Sequence, residues 1–374
     1  MILVLLFIVA CFLAFSNGAN DNFKSVATLF GSKTIHYRGA INWSTITTFT
    51  GSIAAIFFAE TLVHNFSGKG LIPNELIQAP EFSVSIALGA GTTVFLASRV
   101  GMPVSTTHSL VGALLGSGII VVGSSFNFSK LVSTFLIPLI ISPLMAATLS
   151  LLTYLFFRKI RLALGVTKKI CVLAGGKYQP LAEFEPKKNL PSIDATHKKT
   201  IKTAEEPDSV QVYQGQFIGI SFQKLINYGH FLSAGVVSFA RGLNDTPKIV
   251  GLLLVIQSLE IKWGMLAIAV AIAIGGLVHS KKVGEVVANK ITPMNNGQGF
   301  TANLITGLLV TTANVHGMPV STTHISVGSI FGIGTVSKKA NVKMIKNILW
   351  SWFLTLPSAA IFSAIFYGIL QQLS

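Results

Sequence analysis

The sequence predicts an all-α polytopic membrane protein made of two inverted-topology repeats, with broken and re-entrant helices. Three observations predict it. Hydrophobic residues make up 51% of the chain and charged ones 11%, with a mean hydropathy of +0.66. A soluble chain carries about a quarter charged residues. The octapeptide "GMPVSTTH" occurs twice, at 101–108 and at 317–324. Finally, the polar links that are basic in one half of the chain are neutral or acidic in the other.

The elements follow in order. The opening "MILVLLFIVACFLAF" has no basic start and runs on without a small-residue cleavage site, so it is expected to be a retained first span. Apolar runs follow at 41–63, 131–157 and 264–278, several of them long enough to cross the roughly 30 Å hydrocarbon core as helices. The shorter runs 83–98 and 300–315, one ahead of each octapeptide, are read as re-entrant arms. Residues 158–224 hold twelve Lys/Arg and six Asp/Glu with few apolar runs, and are expected to form a cytoplasmic loop or small domain. The chain therefore divides into a first repeat 1–157, this loop, and a second repeat 225–374. Cys11 lies in a span and Cys171 in a polar stretch, so no disulfide is expected. The net charge of +15 is read as the positive-inside bias of a membrane protein and not as a nucleic-acid surface.

Three matches in the same order mark the duplication. Besides the octapeptides there are "FSNGANDNFKSVA" (15–27) with "FARGLNDTPKIVG" (239–251), and "LVH" at 62–64 and 277–279. Between corresponding spans the charges oppose. Lys33 and Arg38 of the first half face Glu260 and Lys262 of the second. Lys69, Glu75 and Glu81 correspond to Lys281, Lys282, Lys290 and Glu285. Lys130 corresponds to the four lysines of "SKKANVKMIK". This is the charge pattern of repeats related by a two-fold axis in the membrane plane. It places both termini, 64–81 and 123–130 outside, and 32–38, 158–224, 280–290 and 336–346 in the cytoplasm. Inversion also brings two equal motifs to one depth, facing each other.

The paired motifs carry unusual chemistry. Of thirteen acidic residues, Asp21 and Asp245 alone sit inside apolar stretches, which marks them as functional candidates. Lys24 and Lys248, three positions on, are spaced to pair with them. Gly and Asn in "SNGAND" and "ARGLND" predict broken helices whose carbonyl, amide and carboxylate oxygens suit a hard monovalent cation. In the octapeptides, Pro103 and Pro319 are expected in the first turn of a new helix. Ser105, Thr106, Thr107 and Ser321, Thr322, Thr323 then lie at helix N-termini, where hydroxyls, free amides and the dipole suit an oxyanion. His108 and His324 are expected to serve as structural hydrogen-bonding groups, though histidine's ordinary pKa near neutrality also suits proton coupling.

Two "G-x-N-D" motifs, each followed by "G-x-P-V-S-T-T-H", resemble the inorganic phosphate transporter (PiT) family of secondary symporters. The resemblance covers both hydrophobic halves. It implies about twelve membrane segments in inverted repeats and co-transport of phosphate with sodium or protons. It implicates the six hydroxyl residues with Asn20 and Asn244 in binding phosphate. Sodium would lie on Asp21 and Asp245 with Asn20, Asn244, Ser105 and Ser321. Lys24 and Lys248 depart from the family pattern, which often has Asn there.

The expected function is therefore a sodium-coupled phosphate symporter working by alternating access. It has no resident cofactor, sodium ions being co-transported ligands. Two aspartates would repel phosphate at low dielectric, and cations bound between them would turn repulsion into attraction. The alternative is a proton-coupled permease for phosphate or sulfate. An anion channel fits less well, because buried carboxylates oppose anion flow. No nucleophile setting of a hydrolase is visible, so an enzyme is not expected. Expected partners are phosphate, sodium, the bilayer and, from the symmetry habits of oligomers, a second copy.

Overall fold

The computed structural model describes residues 1–58, 60–174, 177–180 and 209–373. Ten helices of sixteen residues or more dominate them: α1 (Ile2–Asp21), α2 (Tyr37–Phe58), α3 (Pro80–Val100), α4 (Thr106–Val122), α5 (Ile137–Ala163), α6 (Phe222–Val250), α7 (Ile261–His279), α8 (Asn296–Val315), α9 (Thr322–Ser337) and α10 (Val342–Leu373). Among the described residues, six stretches are long and apolar enough to cross a membrane: Ile2–Gly31, Pro80–Val100, Thr106–Ser125, Phe128–Ala163, Ile261–His279 and Val342–Leu373. The protein is a multi-pass, essentially all-α integral membrane protein. Its contacts divide it into two units, Met1–Leu155 with Gly229–Ser374, and Phe156–Tyr228. Within the second unit, β1 (Thr167–Ala174) pairs antiparallel with β2 (Lys177–Pro180) on one side and β3 (Ser209–Gln214) on the other.

The helix breaks differ from expectation. The first half does break at the motif. Helix α1 ends at Asp21, and the chain tightens into a 3₁₀ turn over Asn22–Val26 before Ala27–Gly31. In the second half, however, "ARGLND" lies inside continuous α6, and the 3₁₀ turn comes later, at Gly251–Val255. Pro247 sits within that helix and only removes one backbone donor. Gly18 and Gly242 therefore do not break the chain; they allow close approach. A Cβ on Gly18 would stand 2.0 Å from the Ile272 carbonyl oxygen, and one on Gly242 2.1 Å from that of Thr48.

These contacts are reciprocal. Gly275 meets the carbonyl of Phe15, and Gly51 meets that of Phe239, each at 2.0 Å from a built Cβ. Farther along, Gly112 and Gly116 press on the carbonyls of Leu356 and Ala360, while Gly328 and Gly332 press on those of Pro143 and Ala147. So α1 packs on α7 and α2 on α6, and likewise α4 on α10 and α9 on α5. Each helix thus meets one from the other half of the chain. Small residues let membrane helices approach backbone to backbone, where dispersion and not the hydrophobic effect holds them. Gly275→Val is expected to force α1 and α7 apart and cost roughly 1–3 kcal/mol or more. A fall in thermal stability of the detergent-purified protein checks it.

Two helical hairpins position the motifs. In the first, α3 ends on Gly101 in the left-handed region (φ 79°), residues 102–105 form a non-helical link with Ser105 extended, and α4 begins. In the second, α8 starts with a capping box between Asn295 and Gln298, the chain turns at Gly317 (φ 62°), and α9 follows. The arms are 21 and 20 residues, longer than the expected apolar runs. The prolines are not in the first turns. Pro103 and Pro319 lie in the non-helical links, and Ser105 and Ser321 take the cap positions, accepting from the backbone N–H of His108 (3.1 Å) and His324 (3.2 Å). A serine hydroxyl satisfies a first-turn donor, which proline cannot do.

Candidate functional site

The end of α1 delivers Asp21, the following 3₁₀ turn delivers Lys24, and α6 delivers Arg241, Asn244, Asp245 and Lys248. The hairpin tips bring both octapeptides against them. All of these side chains are buried.

The two carboxylates face each other across a single amide. Asn17 donates from Nδ2 to Asp21 Oδ2 (3.2 Å), to Asp245 Oδ2 (3.2 Å) and to Thr106 Oγ1 (2.9 Å). Thr106 in turn donates to Asp21 Oδ2 at 3.2 Å. Around them stand two nearly equivalent nests. Lys24 Nζ donates to Asp21 Oδ1, to Asn20 Oδ1 (2.6 Å), to the Val104 carbonyl (2.8 Å) and to Thr323 Oγ1 (2.9 Å). Lys248 Nζ donates to the Val320 carbonyl (2.7 Å) and Thr107 Oγ1 (2.8 Å), and pairs with Asp245 Oδ1 at 3.5 Å. Thr323 donates to the Val104 carbonyl (3.1 Å) and Thr107 to that of Val320 (3.2 Å). Each nest therefore joins an acid and a lysine of one half to a threonine of the other.

The ten residues expected from sequence converge here, though in different roles. Asn20 holds the first hairpin tip, donating to Ser98 Oγ and the Met102 carbonyl (3.0 Å each) and accepting from the Val104 N–H (3.2 Å). Asn244 donates to Asp245 Oδ1 (3.0 Å) and the Val320 carbonyl (3.3 Å). Ser105 and Ser321 are helix caps. Thr106, Thr107 and Thr323 engage the acids and lysines. Thr322 lines a small cavity with Asp21, Lys24, Ser25, Val237, Arg241, Thr323 and Ser326. The histidines lie elsewhere. His108 and His324 pack at a tilt (4.5 Å between ring centres), His324 stacks on Trp352, and both line an apolar cavity with Leu139 and Pro143.

Sequence reasoning missed Asn17 and Arg241. Arg241 is 2% exposed and spends Nη2 on Asn22 Oδ1 (2.9 Å), with Thr48 Oγ1 at 3.4 Å, leaving Nε and Nη1 without partners. It stands in the motif "FARGLND", and a count of basic as well as acidic residues in apolar stretches would have found it. The pairing expected from the i, i+3 spacing is present in both halves. Each aspartate already has a lysine, and Arg241 adds a third positive charge. Burial dictates this, since a carboxylate taken from water persists only when paired or hydrogen-bonded.

Within the site, the atoms with no partner among the described residues are of both kinds. Buried donors remain on Arg241, and buried acceptors on Asn17 Oδ1 and Asn244 Oδ1. Such orphans in a native site call for ligands. The donors suit an oxyanion and the acceptors a cation.

Comparison with known proteins agrees with this chemistry. A Thermococcus kodakarensis protein bearing the name phosphate permease is 28% identical over 99% of this chain and 98% of its own. A Rhizobium meliloti protein named as a low-affinity inorganic phosphate transporter is 27% identical over 98% and 96%. A solved structure titled "The sodium-dependent phosphate transporter" shares the fold with a TM-score of 0.77 and 24% identity, covering all of both chains. The family model described as "Phosphate transporter family" matches residues 17–363, and the chain belongs to that family.

Proposed function

We propose that the protein is a secondary active transporter that carries inorganic phosphate with sodium across the membrane by alternating access. The observation that carries this reading is the presence of unpartnered donors and acceptors around two facing carboxylates, at the point where both hairpin tips meet. Phosphate would take the Arg241 donors and the hydroxyls of Ser25, Thr322, Thr323 and Ser326. Arginine's planar fork matches an oxyanion, and the N-terminus of α9 adds its dipole. Sodium would take Asp21, Asp245 and the free amide oxygens of Asn17 and Asn244. Ser105 and Ser321 position the hairpin tips, and Asn20 holds the first of them.

In this reading 1–157 and 225–374 are inverted repeats of a topology with about twelve segments, the hairpins re-enter the membrane, and 158–224 is cytoplasmic with both termini outside. Rocking of one repeat against the other exposes the site alternately. The reciprocal glycine contacts, recurring 224 and 216 positions apart as the motifs do, support the duplication.

The test is phosphate uptake in proteoliposomes, driven once by a sodium gradient at fixed pH and once by a pH gradient without sodium. Uptake in the first arm alone is expected. Uptake in the second alone would replace sodium with protons. Thr323→Val, which deletes a hydroxyl bordering the cavity, is expected to raise the phosphate KM about tenfold while changing sodium activation less. Equal loss of both would remove Thr323 from the anion site.

A further inference from the structure

We propose that Lys24 and Lys248 are tethered cations, whose ammonium groups fill two oxygen cages that otherwise hold monovalent metal ions. The proposal rests on the sodium-coupled reading and specifies which counter-charges the chain supplies itself.

The cage around Lys24 Nζ is all oxygen. It holds a carboxylate (Asp21), an amide oxygen (Asn20), a backbone carbonyl (Val104) and a hydroxyl (Thr323), the last three within 2.9 Å. An ammonium has three protons to donate, so four acceptors exceed what it can bond at once. A spherical ion has no such limit, and carbonyls of non-helical backbone coordinate sodium in broken-helix transporters. The cage around Lys248 is the counterpart with one oxygen fewer: a carboxylate (Asp245), a carbonyl (Val320) and a hydroxyl (Thr107), without an amide oxygen. A surface ion pair explains neither cage, because Lys24 is 4% and Lys248 1% exposed. Nor does simple neutralisation, because each ammonium also binds a carbonyl and a hydroxyl drawn from both halves of the chain.

Tethering has a functional consequence. A positive charge fixed three residues from its carboxylate favours phosphate as a bound ion does, but it stays with the protein through the cycle. Each phosphate then crosses with fewer sodium ions than emptied cages would require, and the free acceptors on Asn17 and Asn244 remain for those that do move.

The experiment compares Lys24→Ala and Lys248→Ala, which empty a cage, with Lys24→Met and Lys248→Met, which fill it without charge. In proteoliposomes the Ala variants are expected to need more sodium, with the sodium activation curve for phosphate uptake steepening by about one ion per cage. The Met variants are expected to lose uptake that sodium does not restore. An independent readout is the thermal stability of purified protein in sodium against choline. Sodium should stabilise the Ala variants more than the wild type or the Met variants, because a ligand stabilises the state that binds it. Ala and Met variants that behave alike in both assays overturn the proposal. So does an Ala variant that cannot be purified in sodium when its Met counterpart can. Failure of the sodium-coupled reading shows separately, as a wild type without sodium-dependent uptake. In that case the sodium-specific stabilisation of the Ala variants still decides whether the cages accept the ion.

Discussion

Asp21→Asn reduces phosphate uptake by roughly two orders of magnitude or more. The carboxylate holds three donors at once. Oδ1 accepts from Lys24, and Oδ2 accepts from Asn17 and Thr106, both at 3.2 Å. An asparagine supplies one oxygen and turns an NH₂ group toward two existing donors. It also leaves the Lys24 ammonium buried without its counter-charge. Breaking such a pair costs about 3–5 kcal/mol, and every 1.4 kcal/mol is a factor of ten. Part of that cost falls on folding, so uptake must be measured per molecule of protein that elutes as a single species. Such protein transporting within about tenfold of the wild type would remove Asp21 from the mechanism.

Arg241→Leu has the second largest effect, and it falls on phosphate. Nη2 is anchored on Asn22 Oδ1, Nε and Nη1 have no partner among the described residues, and the side chain borders the small cavity beside Asp21 and Lys24. Charge-assisted hydrogen bonds contribute about 1.5–3 kcal/mol each, so the loss of one or two raises the phosphate KM by roughly a hundredfold. Arg241→Lys keeps the charge but not the fork, and is expected to recover only part of it. The discriminating measurement is the phosphate KM at saturating sodium. An Arg241→Leu protein with an unchanged KM and a lowered maximal rate would assign the residue to conformational change instead.

Much of the site is legible in the amino-acid sequence alone. Duplicated motifs in an apolar chain imply that the copies meet, and Asp21, Asp245 and the six hydroxyl residues do. What the sequence conceals is the use made of each residue. Glycine and asparagine in "ARGLND" look like helix breakers by propensity, but Gly242 serves a backbone contact and Asn244 bonds from within an intact helix. Tertiary packing overrides local preference there. Pro103 suits a first helical turn equally well, and only the observed cap by Ser105 decides its place. Asn17 escapes notice because an uncharged amide one turn before an acid carries no signal on its own. Its importance comes from Asp245, 228 positions away.

The glycine seams bear on how the chain is made. Gly18 has no surface to meet until Ile272 has been synthesised, and Gly112 and Gly116 wait for Leu356 and Ala360. Until the second half is made, the helices of the first half stand in lipid with bare backbone grooves that only the later helices seal.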